Sequence, residues 1–539
     1  MTRTRFDGTI RIFLGLAVAL CIPYSGFAQH DHATDSSLPQ PFHEPMKLYP
    51  KALGQFTRPI STSNLEAQAY FDQGIQLMYA FDKWDAVRSF REAEKRDPNC
   101  AMCYWGEAWA WGSFLNGRMQ PKEAPHAFAA IQKARQLAPG HANAVERGLI
   151  DAMCVRYVEN FDPTKQRDQD VAYTESMRKV YEQFPKDSEV GTLYGEALFL
   201  LEPRRGARDI HNPTVQRIAR VFEGVLAIDS KHVGACHLYI HLTEATTEPW
   251  RAEPCADSIG DAVPGASHLN HMPSHTWNQL GRWGDSVRAN LQAWHSDQKA
   301  EVGEGFAIYP SHDLHTLLFS ACMDGQGAIA MQAARDYDKL VGDGIYPILT
   351  FVRFGRFDDV LEMTKRPDDP NGAAVWEFGQ GYARLREGEK DVARAYLNGL
   401  LEKADKSKGM FRFNSAKEVL GVLGAILEGE IERADGDLEK AIASFRRGAA
   451  FEDAMMWDEP EPLPFSARHW LGAALLKSRD YAGAERVYRE ELKKHPHNGW
   501  SLYGLRAALE GQHKPKQDVE RDFEASWARS DTWIRGSRF

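Results

Sequence analysis

Small and aromatic residues recur along this chain at steps suited to paired helices. Gly74, Ala86, Phe90, Ala93 and Pro98 stand at offsets 0, 12, 16, 19 and 24. Gly472, Ala484, Tyr488 and Pro496 repeat those steps. Gly429, Ala441 and Phe445 do so a third time, with Asp453 in place of the proline. A residue without a bulky side chain lets a neighbouring helix come close, and a proline ends a helix. The register therefore predicts helical hairpins, stacked one on the next. A second count runs in step with the first. His237 to His271 is 34 residues, and so is His241 to His275; eight of the 19 histidines fall between Val233 and Asp324.

These offsets resemble positions 8, 20, 24, 27 and 32 of the tetratricopeptide repeat (TPR), a helix–turn–helix unit of 34 residues. The resemblance covers most of residues 63–510 and is most specific at 67–100, 233–300 and 465–498. It implies an all-α fold, a TPR-type α-solenoid with a concave face. With Pro264 at position 32, one repeat starts at Val233, the next at Ser267, and Gly281 falls at position 15, the turn between helices. His237 and His241 then take positions 5 and 9, and His268, His271 and His275 take 2, 5 and 9. Aligning Gly325 to position 15 places His312 and His315 at 2 and 5. In TPR proteins those positions line the ligand-binding groove. The resemblance thus puts seven histidines on one inner surface.

Steps of three and four keep each set of histidines on one helix face. Neighbouring helices pack about 10 Å apart, so imidazoles from two or three of them can meet at one ion, with metal–nitrogen bonds of about 2.0–2.1 Å. His237, His241, His271 and His275 form one candidate site; His268, His312 and His315 extend it or form a second. Glu244 at position 12, Asn270 and Asp313 are oxygen donors nearby. Ligation by imidazole without thiolate suits copper, zinc or iron and discriminates poorly among them. Pro273, between His271 and His275, threatens the ideal register. Trp105 and Trp109 fall at positions 5 and 9 of an earlier repeat, which makes them candidates for ligand contact or for core.

The expected function is an exported TPR-type binding or scaffold protein whose groove holds a transition metal, or a protein or small-molecule ligand, through the histidines. The alternative is a metal-dependent enzyme, oxidative or hydrolytic, with its site in the same groove. No HExxH and no GxSxG occurs, so neither a zincin peptidase nor a nucleophile-elbow hydrolase is supported. A net charge of −10 argues against nucleic acid or an anionic membrane as partner.

Residues 1–28 read as a signal peptide: Arg3, Arg5 and Arg11 precede a short apolar run, and Gly26-Phe27-Ala28 ends it. The expectations are a periplasmic or secreted protein without a membrane span after cleavage, a proline-bearing linker or arm at 29–62, and solenoid segments at 63–345 and 346–539. Cys100 and Cys103 have CxxC spacing without the following histidine of a haem site. A local disulfide or buried thiols fits them better than zinc.

Overall fold

A computed structural model describes residues 44–539; residues 1–28, where the sequence suggests a signal peptide, lie outside the described residues. The described residues lie within one compact unit. It is all-α: helices follow one another from Leu65–Tyr79 to Gln517–Trp527, and each packs chiefly on its neighbours in the chain. Among the described residues the only sheet is the two-residue pair Met410–Phe411 and Asn414–Ser415. No helix there is long and apolar enough to cross a membrane.

The hairpin register has a direct physical cause. A Cβ added at Gly74 would stand 2.6 Å from the Phe90 ring, at Gly429 2.5 Å from Phe445, and at Gly472 2.3 Å from Tyr488. The glycine of one helix and the aromatic residue 16 positions later are in contact in all three repeats. A Cβ added at Gly504, on the following helix, would stand 2.1 Å from the same Tyr488 ring, so one ring packs a hairpin against its successor. Gly472→Ala is expected to lower unfolding stability by about 1–3 kcal/mol, measured by denaturant titration; an unchanged midpoint would remove this account of the register.

Polar side chains start many of the helices. Asn64 accepts from the Glu66 and Ala67 amides, Asn143 forms a reciprocal capping box with Glu146, and Asn498 caps Gly499–Gly511. Gly281 and Gly325, placed in turns by the register, adopt φ of +73° and +72° after Pro273–Leu280 and Pro310–Met323. Residues 44–62 are an arm on the domain: Met46, Ala52 and Ile60 are buried, and Gln73 and Gln76 hold the arm's backbone at Tyr49 and Gly54.

Buried apolar residues fall into two large clusters, one from Met46 to Ile308 and one from Val287 to Leu509, with a small third group of Trp283, Phe319 and Met323. The histidine-bearing helices stand where these cores adjoin. The C-terminal segment packs back on the array. Asp531 accepts from the Gly327 and Ala328 amides, and Arg353, fully buried against Trp500, donates to the Ser537 carbonyl.

Candidate metal centre

Four helices carry the histidines: Val233–Thr243 with His237 and His241, Ser267–His271 with His268 and His271, Pro273–Leu280 with His275, and Pro310–Met323 with His312 and His315. Met272, between the second and third, keeps helical dihedrals of −50° and −36°. Pro273 begins a helix there without turning the path, so His271 and His275 remain one turn apart on one face. A disulfide from Cys236 to Cys255 ties the helix bearing His237 to Glu253–Ile259, and Cys100 is bonded to Cys103.

Six of the seven imidazoles gather as two triads. Ligand atoms of His237, His241 and His268 lie within 4.8 Å of one another, and those of His271, His275 and His312 do likewise. The triads adjoin, with ring centroids 5.1 Å apart for His241 and His275 and 5.8 Å for His268 and His271.

The rings are oriented from outside. His237 Nδ1 is 2.5 Å from the Tyr79 carbonyl oxygen and donates to it. His241 Nδ1 donates to Glu244 Oε1 at 3.0 Å, and His275 Nδ1 faces Glu244 Oε2, so one carboxylate holds an imidazole of each triad. His271 Nδ1 is 2.6 Å from Asn290 Oδ1. The Asn290 amide is itself fixed, because its Nδ2 donates to the Ser286 carbonyl; the oxygen therefore faces His271, and Nδ1 must be the donor.

With Nδ1 protonated in the neutral rings of His237, His241 and His271, their inward Nε2 atoms are lone-pair acceptors. His237 Nε2 and His241 Nε2 are buried with no hydrogen-bond partner among the described residues, as are both nitrogens of His268. His271 Nε2 and His275 Nε2 face each other at 2.8 Å. In the metal-free protein the charged His275 donates its Nε2 proton to His271 Nε2, and a metal ion bound there would take the proton's place. Imidazoles fixed at one nitrogen by carbonyl, carboxylate or amide oxygen, with the other free, have the arrangement of metal ligands and their supporting shell.

Burial sets the charge states. It drives the pKa of His237 and of His271 down to about 3 and lowers those of His241, His268 and His312. His275 is the exception: burial would lower it, but Glu244 and Glu459 beside it prevail and lift it to about 9. Against the same burial, His275 and Arg204 hold Glu244 and Glu459 down at about 2. Asp313, 3.6 Å from His271 Nδ1, is buried beside Asp297; burial and their mutual repulsion raise Asp313, and burial raises Asp297 to about 7.

The segments that depart from the repeat pattern close this region. From 112–125, Phe114 packs on Phe81, which lies against His237, His241 and His268, and Asn116 accepts from Arg204. From 203–215, Arg204 reaches Glu459 at 2.8 Å and Glu244 at 3.7 Å. From 300–311, Tyr309 sets its edge against His268 at 5.2 Å. From the acidic loop 457–464, Glu459 joins Glu244, His241 and His275 within 4.8 Å. Glu459, Arg204 and Phe81 were not foreseen as site residues. Their convergence from distant segments has no local signal in the sequence.

An open groove lined by histidines is therefore not what the chain forms here. His237, His241, His268 and His271 are at most 1% exposed, so no partner segment touches them. Trp105 and Trp109 are core residues, not groove residues: each is 1% exposed, they stack on one another, and Trp109 Nε1 donates to Glu196. His315 lies outside both triads, against Tyr346 at 4.4 Å, and His295 is exposed. His315→Asn is accordingly expected to leave metal stoichiometry unchanged, as read by elemental analysis.

No family model matches the chain, and no curated protein does. Solved structures similar to it include the Cut9–Hcn1 complex of the APC/C (12% identity, 89% of this chain and 77% of that one, TM-score 0.30) and yeast Tom70 (12%, 86% and 98%, 0.30). A tetratricopeptide repeat protein from Parabacteroides merdae aligns at 12% identity over 53% of this chain and 88% of its own, with a TM-score of 0.28. Scores this low carry no argument about the site. By the packing of its own hairpins, glycine against the aromatic residue 16 positions later, the chain is an all-α array of helical hairpins.

Proposed function

We propose that this is an exported metalloprotein whose repeat array holds transition-metal ions in the two histidine triads. The observation that carries the reading is the set of buried nitrogens of His237, His241 and His268 left without a partner, the first two rings being fixed at their opposite nitrogen by Tyr79 and Glu244. Plain packing does not explain it, since each buried nitrogen without a partner costs about 1–3 kcal/mol. An ion on His237, His241 and His268 would satisfy them, and a second on His271, His275 and His312 would replace the proton between His271 and His275. For such a donor set copper(II) leads zinc and iron in affinity. Two disulfides fit the export reading.

A second reading, catalysis at the metal, draws support from the cavity that reaches Glu244 and His275. Direct binding of a protein or small-molecule partner by the histidines is disfavoured by their burial; partners of the scaffold would use other surfaces of the array.

The test is elemental analysis of untagged protein purified from the periplasm without chelator. Stoichiometric transition metal is expected, lost in the His241→Ala/His275→Ala double variant while far-UV circular dichroism persists. Protein that takes up no copper, zinc or iron even on reconstitution would end the metal reading.

A further inference from the structure

The two triads differ in their access to solvent. His237, His241 and His268 are 0%, 1% and 1% exposed, with Phe81 lying against all three and Tyr309 against His268. In the other triad His312 is half-buried, and His275, 7% exposed, forms part of the wall of a cavity of about 270 Å³. Around the rest of that cavity stand Glu244, Asn278, Trp283, Phe319 and the loop carrying Trp457 and Glu459. The wall's carboxylates are engaged: Glu459 by Arg204 and Arg205, Asp458 by Arg412, Glu461 by His495. The space beside His275 therefore has polar and aromatic sides without a free countercharge.

Resting on the metal reading above, we infer that the triads hold two ions of unequal access. The inner ion, on His237, His241 and His268, is sealed. The outer ion, on His271, His275 and His312, keeps a coordination position open to a small anionic donor that enters through the cavity. Three imidazoles bring no charge of their own to the ion's shell, Glu244 and Glu459 acting on it only through His275, which leaves the fourth place suited to a small anion. Three protein ligands with one position left to water or substrate is the arrangement of reactive sites, whereas structural sites are closed. The cavity is below the usual range for drug-sized ligands, about 300–1,000 Å³, so the ligand is a molecule of few atoms.

The probe is azide, titrated into protein loaded with copper(II) and followed by its ligand-to-metal charge-transfer band. One azide per protein is expected, perturbing one of two coppers in the electron paramagnetic resonance spectrum. His312→Asn should lose that copper and the band together; His237→Asn should lose the other copper and keep the band. In wild-type protein, without any substitution, a chelator should remove copper in two phases, with the slow phase at least tenfold slower. Two coppers that bind azide alike, or leave in a single phase, would overturn the inequivalence and leave the metal reading standing. Failure to bind copper, zinc or iron would overturn both.

Discussion

Metal-free protein is expected to unfold on acidification between pH 7 and pH 5, where the loaded protein keeps its fold. In the unfolded chain a histidine titrates near 6.5, whereas His237 and His271 in the fold titrate at about 3. Between those values the unfolded state binds more protons, so stability rises with pH; it is fully present above 6.5 and falls as pH drops toward 3. From pH 7 to pH 5 each such group costs about 2 kcal/mol. His241, His268, His312 and His315 are shifted in the same direction and add to the loss. His275 runs the other way, its contribution complete below 6.5 and lost as pH rises through about 9. Asp297 and Asp313, whose raised carboxyls take up protons in the fold, oppose the loss as well. Six depressed imidazoles outweigh these groups, and a total of several kcal/mol is comparable with the 5–15 kcal/mol stability of a typical domain. Bound metal occupies the same lone pairs and must leave before they protonate, which stabilises the fold by mass action. Circular dichroism against pH, with and without copper, measures the difference. Coincident acid midpoints for the two forms would show that nothing but packing holds the histidines.

Glu244→Gln is expected to weaken metal binding at both triads by about 10–100-fold each, the usual effect of losing a supporting partner. Among the described residues, Glu244 orients an imidazole of each triad, His241 through Oε1 and His275 through Oε2. Glutamine keeps the size but offers one acceptor in place of two and no charge. His275 then retains only Glu459, 3.5 Å away and already engaged by Arg204 and Arg205. Its proton-held charge in the metal-free state would be poorly compensated, and breaking a buried pair from one side costs about 3–5 kcal/mol. Competition with a chromogenic chelator reads the affinity, and denaturant titration reads the stability. A variant that weakened one triad alone would show that Glu244 does not link them.

Sequence periodicity was enough for the helices, their hairpin pairing and the side from which the histidines project, because these follow from steps of three, four and sixteen along the chain. Gly74 meets Phe90 and Gly472 meets Tyr488 since the residues are close in sequence and one hairpin brings them into contact. The same local logic put Gly281 and Gly325 in turns. Pro273 looked like a break in the register, and the backbone at Met272 absorbs it.

What periodicity cannot reach is the distance between helices and what covers them. Imidazoles at equivalent repeat positions need not converge: His312 does, while His315, one turn further along the same helix, points to Tyr346. Trp105 and Trp109 hold groove positions by count and are buried in fact. Glu459 reaches His275 across 184 residues of chain, and Arg204 holds it there from a third segment. The sequence by itself determined the repeat and the face that bears the histidines, since both are properties of neighbours along the chain. Only the tertiary structure decided that the face is closed, that its rings divide into two triads, and that one triad meets the cavity. Those outcomes depend on insertions and loops whose paths no local pattern specifies, and on burial, which arises only when distant segments pack together.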